Sequence, residues 1–208
     1  MLPPEEPTMY PMIQNRLRAP VTRLITPVCE YLLRRGLTAN MLTAIGAIGV
    51  VIASFTLFAS GELFLGTLLI TFFALSDLLD GTMARISKSN GSKWGAFLDS
   101  TLDRISDAAI CIGLWLYFRD ESLISSLLLL NLFLGGLIPY IRARAEGLSI
   151  KCEVGIAERV ERLIIILVGS GLYGLGLEDA MLVALILLTV LSVITVLQRV
   201  RVVYRAGS

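Results

Sequence analysis

Histidine is absent from the 208-residue chain, and charged residues make up only 17% of it. Without imidazole, and with cysteines only at the scattered positions Cys29, Cys111 and Cys152, the chain has no pattern for a zinc, copper or redox site. Soluble domains usually carry about a quarter charged residues, so the shortage of charge argues against an ordinary soluble domain. The net charge is only +1, so the overall charge says little about partners, and no nucleic-acid partner is expected.

Apolar sequence is what the chain has in excess, with 55% hydrophobic residues and a mean hydropathy of +0.77. A helix needs about 20 apolar residues to cross a hydrocarbon core, and the apolar residues lie in runs of that length. They predict an all-α integral membrane protein with six transmembrane helices. The predicted spans cover residues 41–60, 63–81, 94–118, 122–141, 159–177 and 180–198.

Basic residues are concentrated on one side of these spans. Apart from Arg119, every Lys and Arg lies before the first span, within 82–104, within 142–162 or after the last span. The positive-inside rule therefore predicts a multi-pass protein of the cell membrane in which both termini are cytoplasmic. The loops 82–93 and 142–158 are placed on the same side, and an even number of spans agrees with this topology.

The segment before the first span divides into two parts. Residues 1–9 contain the run PPEEPT and are interpreted as a flexible tail or an expression remnant, which leaves 10–208 as one membrane domain. Residues 10–37 mix arginines with apolar positions at helical spacing. This pattern favours an amphipathic helix in the cytoplasmic interface over a solvated basic leader.

Four carboxylates lie at the cytoplasmic edge of the second and third spans, where removal from water is costly. Asp77 and Asp80 are spaced i, i+3, and Asp99 and Asp103 are spaced i, i+4, so each pair shares a helix face. Because the loop between the two spans is short, we expect the helices to be antiparallel neighbours. The four carboxylates would then converge on one site.

Carboxylates gathered in this way need cations to neutralise them. Arg85 and Arg104 are near in sequence, but two guanidinium groups match four acids poorly. Hard divalent cations prefer oxygen ligands, so we expect Mg²⁺ or Mn²⁺, as two ions in the arrangement known for phosphoryl transfer. The alternative, in which the acids pair with arginines to lock helices, is disfavoured by the matched spacings. Asp107 continues the i+4 series outside this constellation and is interpreted as structural or as a support for the metal ligands.

Residues 77–103 match the pattern D-x2-D-G-x2-A-R-x9-G-x3-D-x3-D at each fixed position. The fixed positions are Asp77, Asp80, Gly81, Ala84, Arg85, Gly95, Asp99 and Asp103. This is the signature of the CDP-alcohol phosphotransferases, which the chain also resembles in its six predicted spans and cytoplasmic termini. Eight fixed positions make a specific signal, and the resemblance covers nearly the whole chain.

The resemblance implies an enzyme that moves a phosphatidyl group from CDP-diacylglycerol to an alcohol and releases CMP. By resemblance, Asp77, Asp80 and Asp99 are metal ligands, and Asp103 both faces the metals and acts as general base. The implied CDP-lipid-binding residues are Gly81, Ala84, Arg85 and Gly95. The stretch LTANMLT resembles a family segment and adds Thr38 and Asn40, although capping of the first span explains them equally well. Relatives are commonly homodimers that work among membrane lipids.

A second group of basic residues lies in the predicted cytoplasmic region 140–163. Arg159 and Arg162 are spaced i, i+3 at the start of the fifth span, where an unpaired charge is costly. Topology alone explains some of these charges, and Glu158 and Glu161 are alternative partners, but we favour an anion pocket. The candidate ligands for an acceptor phosphate are Arg144, Lys151, Arg159 and Arg162, followed by Arg142 and Arg201.

An acceptor alcohol that carries its own phosphate would need such a pocket. Inositol phosphate would give phosphatidylinositol phosphate, and glycerol 3-phosphate would give phosphatidylglycerol phosphate. The run RARAEGL…VGIAERxER resembles actinobacterial family members that use an inositol phosphate, which is therefore the expected acceptor. A cation transporter is the remote alternative, and it is disfavoured because the carboxylates cluster at one face instead of spanning the membrane depth.

Overall fold

The computed structural model describes residues 25–86 and 92–207, with the backbone alone for Asp77, Leu78, Asp80 and Ala84. Helices dominate this part of the chain, and no strand occurs within it. Helix α1 covers residues 25–34. The helices that follow are α2 (Ala39–Ala53, continued by a π-helical turn at Ser54–Phe58), α3 (Leu63–Ala74), α4 (Ser76–Ile86), α5 (Lys93–Phe118), α6 (Ser122–Glu146), α7 (Arg159–Gly174) and α8 (Asp179–Gly207).

Three helical stretches of the described chain are long and apolar enough to cross a membrane, namely Ala39–Phe58, Ser122–Glu146 and Asp179–Gly207. The prediction of an all-helical, multi-pass membrane protein is confirmed at that level. The second predicted span is divided at Leu75 into α3 and α4. The remaining spans of the predicted six also coincide with helices, but their crossing of the membrane stays a prediction.

The segment before α2 is described only from residue 25 onward. The predicted tail at 1–9, and most of the predicted interfacial segment at 10–37, lie outside the described residues. Helix α1 carries the part that is described, and its buried Cys29 donates from Sγ to the carbonyl of Leu79 in α4 over 3.5 Å. Helix α1 therefore lies against α4, and its position at a membrane interface stays a prediction.

Glycines let the helices approach each other closely. Gly113 of α5 lies against the backbone of Ser54, and Gly169 of α7 lies against Ala184 of α8, with no room for a side chain at either glycine. Small residues of this kind are what lipid-embedded helices use, because lipid supplies no hydrophobic driving force between them. The buried core that results includes Phe58 and Leu114.

Helix α2 is the element that places the two aspartate-bearing helices. It packs against both α4 and α5, whereas α4 and α5 do not pack extensively on each other within the described residues. The expectation that they are direct neighbours is therefore not met among the described residues. There α2 contacts both helices, because its Gly46 admits Ser76 at the start of α4 and its Asn40 lies beside Gly95 at the start of α5.

Candidate active site

Helix α5 presents its aspartates from a well-defined start. Ser92 caps the helix, and its hydroxyl accepts the N–H of Gly95 over 2.9 Å. A helix that begins there places Asp99, Asp103 and Asp107 on successive turns of one face. The side chain of Asp99 is exposed, whereas the side chain of Asp103 is only 16% exposed. The prediction that these aspartates share one face of a helix is therefore confirmed.

Helix α4 carries the other half of the predicted site. The backbone at Asp77 and Asp80 is helical, so their i, i+3 spacing places both on one face. Their side chains, like that of Ala84, lie outside the described residues, and the convergence of the four carboxylates stays a prediction. Arg85 is exposed and donates from Nη2 to the hydroxyl of Thr82 over 3.0 Å.

The residues of this site fit a divalent metal by the chemistry of their donors. Every candidate ligand is a carboxylate, and the chain supplies no histidine. The described cysteines lie in packing positions, with Cys29 and Cys152 buried. Oxygen-only donors suit Mg²⁺ and Mn²⁺. No cluster of three such ligands occurs among the described side chains, but two of the four aspartates fall outside that part of the chain.

The start of α2 contains the two other residues predicted to contact the CDP-lipid. The hydroxyl of Thr38 accepts the N–H of Met41 over 3.2 Å and caps the helix. A Cβ added to Gly95 would lie 3.0 Å from Oδ1 of Asn40, so Asn40 and Gly95 form one surface. Gly81 has no described atom within 4 Å of an added Cβ, which leaves space beside α4. The structure thus brings Asn40 next to a motif residue and gives Thr38 a capping role.

The arginines of α7 meet the aspartates of α5 in a cluster of five side chains. Arg159 contacts Asp103 (Nη1 to Oδ1, 3.0 Å) and Asp107 (Nε to Oδ1, 3.3 Å). Arg162 donates from Nη2 to Oδ2 of Asp107 over 3.3 Å. Arg104 lies 3.5 Å from Asp103 and 3.8 Å from Asp107. We call Arg104, Arg159, Arg162, Asp103 and Asp107 the arginine–aspartate cluster.

This cluster lies between two openings in the fold. On one side, Asp103 and Arg159 line a narrow gap together with Thr43 and Gly46 of α2. On the other side, Arg104, Asp107 and Arg162 line a cavity of about 550 Å³ between α5, α6 and α7. The rest of that cavity wall is mainly apolar, including Leu132 and Ile166. The cluster is therefore the polar boundary between the carboxylate face and an apolar cavity.

The loop before α7 is held against α8, and this sets the position of Arg159 and Arg162. The hydroxyl of Thr195 accepts the N–H of Ala157 over 3.0 Å. Arg199 is 2% exposed and donates to the carbonyls of Val154 (2.8 Å) and Ile138 (2.7 Å). It also pairs with Glu158 over 2.9 Å. A rigid loop of this kind fixes where α7 begins.

The other predicted acceptor-phosphate residues have different surroundings. Arg142 pairs with Glu146 over 3.0 Å and approaches Glu158 at 4.0 Å. Lys151 is highly exposed and lies 3.2 Å from Glu153. Arg144 lines a groove between α6 and α8, and Arg201 is exposed on α8. The structure brings Arg159 and Arg162 to the aspartates, but it places these four residues in other surroundings.

Two residues of this region have contacts that the sequence does not reveal. Asp107, expected to be structural or to support the metal ligands, contacts three arginines. Arg199 directly follows the last predicted span, among the basic residues that the sequence assigns to topology, yet it is almost fully buried. Its position one residue beyond an apolar run was the only available signal, and that signal does not separate a buried arginine from a topological one.

Comparison with known protein families identifies the family to which this chain is similar over most of its length. A family model described as CDP-alcohol phosphatidyltransferase matches residues 36–197. The chain belongs to that family. Within it, the chain is 39% identical over 207 residues to phosphatidylinositol phosphate synthase of Streptomyces avermitilis, covering 95% of this chain and 84% of the relative. It is 42% identical over 194 residues to the Mycobacterium tuberculosis enzyme of that name, covering 90% of this chain and 88% of the relative.

Solved structures of this family resemble the fold closely. The crystal structure of Mycobacterium tuberculosis phosphatidylinositol phosphate synthase with CDP-DAG bound has a TM-score of 0.82 and 41% identity, covering 88% of this chain and 94% of that chain. The same relative in complex with manganese and citrate has a TM-score of 0.81, covering 86% and 88%. The predicted family membership is confirmed.

Proposed function

We propose that this CDP-alcohol phosphatidyltransferase is a phosphatidylinositol phosphate synthase. It transfers the phosphatidyl group of CDP-diacylglycerol to a hydroxyl of an inositol phosphate and releases CMP. The arginine–aspartate cluster is the observation that carries this proposal. In it Asp103, a residue of the family signature, pairs with the guanidinium group of Arg159. Relatives at about 40% identity over most of the chain carry the same name, and a relative's structure holds CDP-DAG.

The donor would lie against the starts of α2 and α5 and the open face of α4. Gly95 beside Asn40 offers a surface without side-chain bulk, and Gly81 leaves space beside α4. Arg85 is exposed near these positions, and its guanidinium suits a pyrophosphate oxygen. Because Thr38 caps α2, its part in donor binding would be to hold the helix end that carries Asn40.

A divalent cation is part of the proposal, because the family signature supplies four carboxylates. Mg²⁺ or Mn²⁺, as two ions, would be held by Asp77, Asp80, Asp99 and Asp103 and would supply positive charge beside the donor pyrophosphate. A relative's structure contains manganese. The carboxylates would orient the donor by holding this charge in place, and Asp99 is an exposed member of the set.

Asp103 would take the proton from the acceptor hydroxyl. The hydroxyl oxygen forms a bond to the phosphorus that carries diacylglycerol, and the bond from that phosphorus to the bridging oxygen breaks. The electron pair of the broken bond leaves with CMP. A positioned carboxylate contributes to such a step by accepting the proton as the new bond forms.

The acceptor's own phosphate would bind the guanidinium groups of Arg159 and Arg162. Arg159 lies 3.0 Å from Asp103, so a phosphate held by Arg159 would bring a hydroxyl of the same molecule close to the base. Arg144 and Lys151, with Arg142 and Arg201, remain candidate contributors. Glycerol 3-phosphate is the second acceptor that this arrangement suits, because it also joins a phosphate to a hydroxyl.

The proposal places the site at the cytoplasmic side of the cell membrane, with six spans and both termini cytoplasmic. Three helical stretches long and apolar enough to cross a membrane support a multi-pass arrangement. The basic residues of the loop before α7 favour the cytoplasmic side. A homodimer is proposed by analogy with the family, and its mass in detergent would test that part separately.

The decisive experiment is an assay of the purified protein with CDP-diacylglycerol and divalent cation. Parallel reactions would contain inositol phosphate, glycerol 3-phosphate, free inositol or no acceptor, and both CMP and lipid product would be measured. We expect CMP and phosphatidylinositol phosphate in equal amounts with inositol phosphate. Efficient use of free inositol would contradict the phosphate pocket, and preferred use of glycerol 3-phosphate would change the product.

A further inference from the structure

Asp107 lies outside the family signature, yet its carboxylate contacts three arginine side chains. Its Oδ1 accepts from Nε of Arg159 over 3.3 Å, and its Oδ2 accepts from Nη2 of Arg162 over 3.3 Å. Nη2 of Arg104 approaches the same Oδ2 at 3.8 Å. One carboxylate thereby joins one cation of α5, Arg104, to two cations of α7.

The contact with Arg159 determines which way its guanidinium group points. A guanidinium is planar and presents its donors in a fixed fork, so binding through Nε constrains the plane of the whole group. With Nε held by Asp107, Nη1 of Arg159 reaches Asp103 at 3.0 Å. Asp107 therefore controls the direction in which the remaining donors of Arg159 are offered.

Arg162 depends on Asp107 for a different reason. It is only 8% exposed, and besides Asp107 it contacts the carbonyl of Ala157 over 3.3 Å. A buried cation that loses its carboxylate leaves an uncompensated charge, which is strongly unfavourable. Without Asp107, Arg162 would turn towards other carbonyls or water, and its donors would no longer be presented beside those of Arg159.

We propose that Asp107 is the positioning residue that orients Arg159 and Arg162 for the phosphate group of the acceptor alcohol. This inference rests on the proposed function, because it assigns the two arginines to that phosphate. It gives Asp107 a role in selecting phosphorylated over unphosphorylated acceptors, without contact between Asp107 and the reacting atoms. The carboxylate of Asp107 lowers the positive charge beside the proposed phosphate site. It therefore favours phosphate binding only if the orientation of the two guanidinium groups matters more than the charge that it removes.

Charge and orientation make opposite predictions for the substitution Asp107→Asn. The cluster has three arginines and two aspartates, a formal charge of +1, which the substitution raises to +2. If only charge mattered, the extra positive charge would strengthen binding of an anionic acceptor. If orientation matters, the loss of both charge-assisted hydrogen bonds weakens it. The sign of the change therefore separates the two explanations.

The test compares wild type, Asp107→Asn and Asp107→Glu as full-length protein in detergent. We expect Asp107→Asn to raise the KM for inositol phosphate by about tenfold or more, the factor that about 1.4 kcal/mol represents. The KM for CDP-diacylglycerol should change by less than about threefold, since Asp107 contacts no residue of the proposed donor surface. Asp107→Glu keeps the carboxylate and should restore part of the affinity.

Asp120→Asn is the matched control. Asp120 also lies beside an arginine, at 3.8 Å from Arg119, but its side chain is 93% exposed and lies beyond the other end of α5. It should leave both KM values unchanged. A fall or no change in the acceptor KM of Asp107→Asn would overturn the proposal. An equal rise in both KM values, or a loss of folded protein that Asp107→Glu also shows, would assign Asp107 a structural role instead.

A second measurement does not depend on turnover. Inorganic phosphate should raise the thermal midpoint of the wild-type protein and raise that of Asp107→Asn much less. An equal shift in both proteins would contradict the proposal. If wild type used glycerol 3-phosphate and not inositol phosphate, the proposed acceptor would be wrong, while the KM for glycerol 3-phosphate would test Asp107 in the same way.

Discussion

Nη1 of Arg159 lies 3.0 Å from Oδ1 of Asp103, so the first arginine of α7 is paired directly with the fourth aspartate of the family signature. One residue is proposed to hold the acceptor's phosphate and the other to take the proton of its hydroxyl. Their contact means that the two functions lie within the dimensions of one small acceptor.

Asp103→Asn should lower kcat by about 10²–10⁴-fold, the usual contribution of a general base. The amide keeps the size of the side chain but accepts a proton poorly. Binding of CDP-diacylglycerol, measured by titration in the absence of acceptor, should be much less affected. If donor binding were lost in parallel with turnover, Asp103 would be chiefly a metal ligand and another group would have to act as base.

Asp99→Asn should abolish transfer while the protein remains folded, because it removes a charged ligand from an oxygen-only site. The same is expected of Asp77→Asn and Asp80→Asn. A chelator should stop wild-type activity, and added Mg²⁺ or Mn²⁺ should restore it. Asp120→Asn is again the control, since its side chain lies in an exposed loop. Full wild-type activity without divalent cation would rule out the metal site.

Arg162→Gln should raise the KM for inositol phosphate far more than the KM for CDP-diacylglycerol. It removes a guanidinium that is 8% exposed and held 3.3 Å from Asp107. Arg162→Lys keeps the charge but not the fork of donors, so we expect an intermediate effect. Steady-state kinetics with each substrate varied in turn would measure both. Equal effects on the two KM values would argue against a separate acceptor pocket.

Gly95→Ala should weaken use of CDP-diacylglycerol by several-fold and leave the KM for inositol phosphate nearly unchanged. Its Cβ would lie 3.0 Å from Oδ1 of Asn40 and 3.2 Å from the hydroxyl of Ser92, so Asn40 must shift on the proposed donor surface. Gly136→Ala is a suitable control, because no described atom lies within 4 Å of its Cβ. An unchanged donor KM would remove Gly95 and Asn40 from the donor site.

Gly155→Ala should lower stability by about 1–3 kcal/mol, seen as a lower thermal midpoint in detergent. Gly155 has φ +147°, and its Cβ would lie 2.7 Å from Cγ2 of Thr195. Gly147→Ala is the control, since Gly147 has φ −65° and its Cβ would meet only ordinary contacts. Because this loop positions α7, the acceptor KM should also rise. A thermal midpoint equal to that of Gly147→Ala would contradict the tight contact.

Much of the site followed from local pattern alone. The spacing of Asp99, Asp103 and Asp107 requires one helix face once α5 forms, because residues three or four apart are neighbours on any α-helix. The apolar runs predicted the positions of the helices from α2 at Ala39 to α8 at Asp179. A long apolar run indicates a helix that is buried or faces lipid. The eight-position signature identified the family without any coordinates.

Contacts between distant segments could not be predicted in that way. The sequence determined that Arg159 and Arg162 share a face of α7, but only the fold decided that Asp103 and Asp107 are partners of these arginines among the described side chains. It also decided that Arg199 is buried and that α2 packs against both α4 and α5. Spacing along a helix fixes only which side chains are neighbours on that helix. Which helix lies opposite depends on where glycines such as Gly46 and Gly113 permit close packing.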